Sequence, residues 1–241
     1  IKNSKQYLSR SDGIFSFFRS KAIKNIKRFT FETQTQMTFF KNAVKRKNAY
    51  FGTSYDRYSD ISTNFPSSSF SLSSENIQIG LLGAIDIVRR DYNIICGALD
   101  HLSVNERNKL SFNILGACKD GVNNEVIKKI AYYVKINFFE SLLSEETFFN
   151  VGKKCDVLIS PLNNSKEYGT FNGTGSIGDA LYLRKKLLIP KFTDPLDEFK
   201  DIFLCYSDEK SLVKILRRLV TKENKKIPKK YFQKFSTEKV F

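Results

Sequence analysis

The sequence has one histidine, His101, among 241 residues, so no cluster of imidazoles can hold a metal ion within it. Its four cysteines, Cys96, Cys118, Cys155 and Cys205, are scattered and form no C-x-x-C pair. Neither a zinc site nor a disulfide framework is suggested. Their neighbours are mostly apolar (IICGAL, FLCYS), the setting of reduced thiols in or near a core. No run is long and apolar enough to span a bilayer, and no signal peptide is visible. The first residue is Ile1 and not Met, from which we expect part of a longer protein. Basic residues are not interleaved with aromatics and no nucleic-acid-binding motif is present, so nucleic acid is not an expected partner.

What the sequence has in excess is positive charge, with a formal net charge of +15. The basic residues are spread along the chain, and Lys, Asn, Ile and Phe are frequent throughout. Biased composition accounts for much of the charge. The remainder suits an anionic membrane surface or a nucleotide substrate.

Residues 1 to 70 are the less regular part. GIFSFFRSKAIKNIKRF places Phe15, Phe18, Ala22, Ile26 and Phe29 at helical spacing with basic residues elsewhere on the wheel. Such a face packs on its own domain or rests on a membrane interface. RFTFETQTQMTFF alternates like a strand and then turns helical. The Ser-rich stretch from Asn64 to Asn76, with Pro66, reads as a linker. From Ile77 onward, short apolar strands alternate with helical patterns: IQIGLLG, LSFNILG, VKINFF, DVLISP, KLLIP and DIFLCYS are the strands. Continuously apolar strands in that alternation predict a doubly wound parallel α/β sheet covered on both faces. Ligands of such sheets bind beyond the carboxyl ends of the strands. The informative loops therefore follow Leu82, Leu115, Phe138, Ile159 and Ile189.

After the first of these strands, Gly80 and Gly83 permit a tight turn, and Arg89 and Arg90 are expected at the entry to a helix, a good place for a phosphate. After the third, Phe138 and Phe139 can receive a planar base. After the fourth, the loop carries Glu167, Tyr168 and Gly169. GTGSIG (173–178) then feeds a helix bearing Asp179, whose backbone N–H groups favour an anion. A carboxylate one turn further in can accept two hydrogen bonds from a ribose diol, or merely complement the helix dipole. GTGSIG fits G-x-G-x-x-G, and Asp194 lies about twenty positions on, as an NAD site requires. However, the motif does not follow its strand directly and is not at the first βα turn of the fold. NAD is the lesser reading, and the stretch is a phosphate-loop candidate at a late position.

Together, GLLGAIDIVRRDY, FNILG and LSEETFFNVGKKCDVLISPLNNSKEYGTFNGTGSIGDALYLRKKLLIP, with the spacing between them, resemble the C-terminal half of GT-B glycosyltransferases. The likeness is to the large retaining group 4-like class and its relatives in surface-polysaccharide clusters, and it covers about residues 76 to 241. It implies a Rossmann-like domain over 71–241 that binds a nucleotide-sugar donor, with a closing helix after Pro228 that crosses back. Residues 1–70 are then the remnant of an N-terminal α/β acceptor domain and its linker.

By the same resemblance, Gly83 belongs to the first donor loop and Arg90 is the diphosphate cation. Glu167 is the first acid of an E-x7-E motif, near the donor sugar, and Asp179 is the second, near the ribose. Read from the loops themselves, Thr174, Gly175 and Ser176 of the phosphate-loop candidate and Phe138 and Phe139 at the strand end complete the expected donor site. One departure stands out: Gly175 falls where the second Glu would be at the usual spacing, and the acid comes four positions later. The implied reaction moves a sugar from a UDP- or GDP-sugar to a hydroxyl of a surface polysaccharide or lipid-linked glycan. It needs no metal or cofactor and takes place in the cytoplasm or on the inner face of the plasma membrane. Any base comes from the N-terminal domain, so this portion alone is expected to bind donor weakly and turn over nothing. The alternatives are a GT-B-like nucleotide-sugar epimerase, an NAD-dependent Rossmann enzyme, and a non-catalytic basic binding module.

Overall fold

The computed structural model of the chain describes residues 23–31, 33–44, 50–53, 76–118, 120–121, 124–164, 168–170 and 172–221. Most of the expected basic amphipathic helix, most of the Ser-rich linker, Glu167 and the closing helix after Pro228 lie outside the described residues.

The first described unit is β1 (Arg28–Phe31), α1 (Gln34–Val44) and β2 (Tyr50–Thr53). The two strands pair in parallel, which a chain achieves only by crossing over between them, here through α1. Phe29 and Phe31 each meet the ring of Phe40 on α1, with centroids 5.1 Å apart. Thr33 Oγ1 accepts the N–H of Gln36, and the carboxylate of Glu198 accepts those of Gln34 and Thr35 at 3.0 and 3.1 Å. The start of α1, where Thr33, Thr35 and Gln36 are buried, is thus capped from its own sequence and from a residue far along the chain.

The main sheet contains β3 (Ile77–Leu82), β4 (Leu110–Ala117), β5 (Lys135–Phe139), β6 (Val157–Ile159), β7 (Leu187–Pro190) and β8 (Phe203–Tyr206). They run in the order β5-β4-β3-β6-β7-β8, and every pairing is parallel. Counted from β3, this is the 3-2-1-4-5-6 order of the dinucleotide-binding folds, with its reversal between β3 and β6.

Among the described residues, five α-helices lie between these strands, α2 (Asn93–Asp100), α3 (Val104–Arg107), α4 (Glu125–Ala131), α5 (Glu145–Lys154) and α6 (Gly175–Leu183), and α7 (Glu209–Val220) follows β8. Side chains alternate across a strand, so Ile79, Leu81, Val157 and Ile159 face one cluster and Leu82 and Leu158 the other. Ile95 and Leu99 of α2, Ile127 and Ile130 of α4 and Leu212 and Leu216 of α7 cover the first face. Phe149 of α5 and Ile177, Ala180 and Leu183 of α6 cover the second. The expected doubly wound sheet is therefore present. α7 is a clear case of pattern becoming structure: Leu212, Val213, Leu216 and Leu219 are buried, and Asp208 and Ser211 form a capping box at its start.

Polar groups also occur in this interior, and two of them concern the strands themselves and the thiols. Across β3, β4 and β5 runs a ladder of side-chain amides. Asn113 Nδ2 donates to Gln78 Oε1 at 3.0 Å, and Asn137 Nδ2 donates to Asn113 Oδ1 at 2.9 Å. The second feature is the thiol of Cys155, which donates to the carbonyl of Val151 at 3.4 Å. Burial pushes this thiol from 9.0 up to about 12, and burial also raises Cys205 to about 11. No disulfide joins the four cysteines. In the unfolded chain these thiols ionise near 9, whereas the folded protein holds their protons. Their contribution is full below pH 9 and is lost as pH climbs toward 11 to 12. The urea midpoint is therefore expected to fall above pH 9, and Cys155→Ala is expected to make that fall shallower.

Candidate functional site

The strand order reverses between β3 and β6, and the loops leaving those two strands meet at the carboxyl edge of the sheet. The β3 loop begins at Gly83, whose φ of 79° suits glycine. The guanidinium of Arg90 lies over Gly83 so closely that a Cβ there would overlap Nη2, and Nη1 donates to the carbonyl of Ala84 at 3.0 Å. On the other side, Gly116 at the end of β4 has the Gly83–Ala84 backbone against its α-carbon, with no room for a side chain. The loop is anchored there by Gly83 N–H to Leu115 O and Ile85 N–H to Ala117 O.

The loop then turns on Asp86. One carboxylate oxygen accepts the N–H groups of Val88 and Arg89 at 2.9 and 3.1 Å, an Asx-type turn. Beyond it, the chain is stitched to the β6 loop: Asp91 N–H donates to Pro161 O at 2.7 Å and Asn163 N–H to Arg89 O at 2.9 Å. Arg90 and Leu162 form an antiparallel bridge. Arg90 lies two residues before Tyr92, the N-cap of α2, and Arg89 in the turn before it, and the two side chains point to different places. Arg89 Nε donates to the hydroxyl of Tyr168 at 3.1 Å. That bond is the main reason the Arg89 guanidinium is held still more firmly protonated than usual.

Asp86, Val88, Arg89, Tyr168, Asn172 and Gly173 line a cleft of about 510 Å³, within the range of small-molecule sites. On its rim, α6 begins. Thr174 is the N-cap, its Oγ1 accepting from Ser176 N–H at 3.3 Å. The Ser176 and Ser160 hydroxyls are 2.8 Å apart and buried, which ties the helix start to the end of β6. A helix start beside a guanidinium is an anion-binding arrangement.

The structure brings together some of the expected site residues and separates others. Gly83 and Arg90 are in contact, and Thr174, Gly175 and Ser176 open α6 next to Gly173. Gly175 and Gly178 are already helical, so GTGSIG is the first turn of a helix and its N-cap more than a Gly-rich turn. Asp179 sits half-buried in the second turn of α6. Phe138 and Phe139 end β5, two strands away from β3, and pack against opposite core clusters without lining the cleft. Asp194 is buried, with its two oxygens accepting the N–H groups of Glu198 and Phe199 at 2.8 and 2.9 Å. It caps a turn, and its carboxylate is occupied where an NAD site needs a ribose acceptor. Sequence reasoning did not single out Asp86 or Asn172, nor divide the roles of the two arginines. Asp three residues before Arg in a loop is an Asx-turn signal that could have done so.

No family model and no curated protein matches this sequence. Solved structures do match its shape. An E. coli trehalose-6-phosphate protein bound with UDP-2-fluoro glucose superposes with a TM-score of 0.62 at 10% identity, over 92% of this chain and 58% of that one. WaaG, a glycosyltransferase involved in lipopolysaccharide biosynthesis, gives 0.56 at 14% identity, over 80% and 53%. The N-terminal domain of trehalose-6-phosphate phosphatase from Candida albicans gives 0.58 at 9% identity, over 98% and 57%. The chain therefore spans little more than half the length of these structures. Its fold is that of the GT-B glycosyltransferases.

Proposed function

We propose that this chain is the donor-binding half of a glycosyltransferase that uses a nucleotide-sugar. The observation that carries the reading is the cleft at the strand-order reversal, with the Arg89 guanidinium on its wall and the start of α6 on its rim. The neighbours named above support it: one holds a UDP-sugar analogue and another is a glycosyltransferase. In the reaction, an acceptor hydroxyl oxygen forms a bond to the sugar anomeric carbon as the bond to the β-phosphate oxygen breaks. The hydroxyl proton passes to a base or to the departing diphosphate. Negative charge grows on the leaving group, and a guanidinium and a helix start placed beforehand stabilise it without a metal. Arg89 meets that charge. Arg90 shapes the Gly83 loop beneath it.

Glu167 serves the donor sugar and Asp179 the ribose. A partner N-terminal domain supplies the acceptor site and any base, in keeping with a chain that spans little more than half of its structural neighbours. The acceptor is a growing surface polysaccharide or a lipid-linked glycan, reached from the cytoplasm at an anionic membrane face that the net charge of +15 favours.

Calorimetric titration with UDP, GDP and NAD tests the reading. We expect saturable binding of UDP or GDP and none of NAD. Binding of NAD alone would return the chain to the dinucleotide enzymes. Conversion of a nucleotide-sugar to its epimer without an acceptor would make it an epimerase.

A further inference from the structure

The cleft wall contains a contact between two loops that neither strand order nor motif requires. Arg89 belongs to the β3 loop and Tyr168 to the β6 loop, 79 residues apart, yet Nε of one donates to the hydroxyl of the other. Tyr168 cannot follow Arg89 if the arginine moves. Its ring is 5% exposed and belongs to the core cluster beneath α5 and α6. Its backbone bridges Asn172, and Gly169 N–H donates to Asn172 O at 3.1 Å. Gly169 has a φ of 80° and presses against the Thr193 backbone, where no side chain fits. The hydroxyl is therefore presented from a rigid support, with its ring in the core and only its polar tip at the cleft.

We infer that Tyr168 is the positioning residue of this site: it fixes the Arg89 guanidinium so that the two terminal nitrogens face the diphosphate of the ligand. A guanidinium has five N–H donors in a planar fork. Engaging Nε on Tyr168 uses one donor and settles the plane of the other four. An arginine on a loop otherwise surrenders its rotamer freedom when an anion binds, and a guanidinium held beforehand surrenders less. The benefit is specific to the part of the ligand that Arg89 touches. Tyr168 should thus matter for the diphosphate and not for the nucleoside. This rests on the donor-site reading above.

The test compares wild type with Tyr168→Phe, which keeps the ring in the core and removes only the hydroxyl. UDP and uridine, and in parallel GDP and guanosine, are titrated into the intact protein by ligand-observed NMR. We expect Tyr168→Phe to weaken the preferred nucleoside diphosphate about fivefold to tenfold, the size of one hydrogen bond, and to leave the nucleoside unchanged. In an Arg89→Ala background, the same substitution should have no further effect. An equal loss for nucleoside and diphosphate would make Tyr168 a merely structural residue, and an unchanged diphosphate affinity would overturn the inference outright. Wild type binding neither UDP nor GDP would instead sink the donor-site reading, and this inference with it. The melting temperature of Tyr168→Phe, expected within a few degrees of wild type, separates loss of positioning from loss of fold.

Discussion

Arg89→Ala is expected to slow sugar transfer by the intact protein about a hundredfold, the loss found when one preorganised donor to a developing negative charge is removed. The size follows from where the side chain is. Arg89 stands on the cleft wall, bonded through Nε to Tyr168, and its neighbour Arg90 does not line the cleft. Arg90 donates instead to Ala84 O and covers Gly83. Arg90→Ala should therefore act through the loop. It removes a packing partner and a backbone contact, and it should lower donor affinity and loop protection with less than about tenfold effect on the maximal rate. Initial rates of nucleotide release, fitted for kcat and KM with each variant, distinguish the two. A hundredfold loss on Arg90→Ala with little change on Arg89→Ala would exchange the roles and restore the cation that the family resemblance implies.

Much of this architecture is legible in the sequence because it rests on periodicity. Apolar runs such as IQIGLL and LLIP can be satisfied only inside a sheet covered on both faces, and LVKILRRL can bury only one side. The loops that matter follow from the parallel arrangement. The order of the strands does not, since alternation of strand and helix is the same for every doubly wound order. The division of labour between two adjacent arginines is also invisible to pattern, because it depends on a hydroxyl 79 residues away. GTGSIG shows the opposite case, a motif whose place in the chain already argued against its letters. Its letters satisfy a fingerprint, but Thr174 caps a helix that starts at Gly175, and β6 has ended at Ile159 with a long loop between. The acid twenty positions on, Asp194, turns out to hold two backbone N–H groups in the interior. Spacing alone cannot say whether a carboxylate faces a ligand or its own chain.

Asn113 is the position where pattern and structure differ most usefully, and its replacement carries the largest expected cost in stability. In LSFNILGA it interrupts an apolar strand, and it is fully buried. Its amide donates to Gln78 and accepts from Asn137, joining three strands on one face. Asn113→Ala withdraws a donor from Gln78 Oε1 and an acceptor from Asn137 Nδ2 and leaves a small void. The expected loss is about 3 kcal/mol, read as a lower urea midpoint with an unchanged slope. An apolar pair, Gln78→Leu with Asn113→Leu, should cost less than the two single changes added together, because it removes both partners of one buried bond.

The ladder also sits where the register of β4 against β5 changes. The pairing of β4 with β5 shifts register between Asn113 and Ala117. The Asn113–Asn137 bond lies at the last regular pair before that shift, where a slip of β5 by one residue would turn Asn137 to the other face of the sheet, away from Asn113. Retained stability with heterogeneous β5 amide signals in the apolar pair would confirm that the amides select the alignment. Lost stability with uniform signals would show that they only strengthen it.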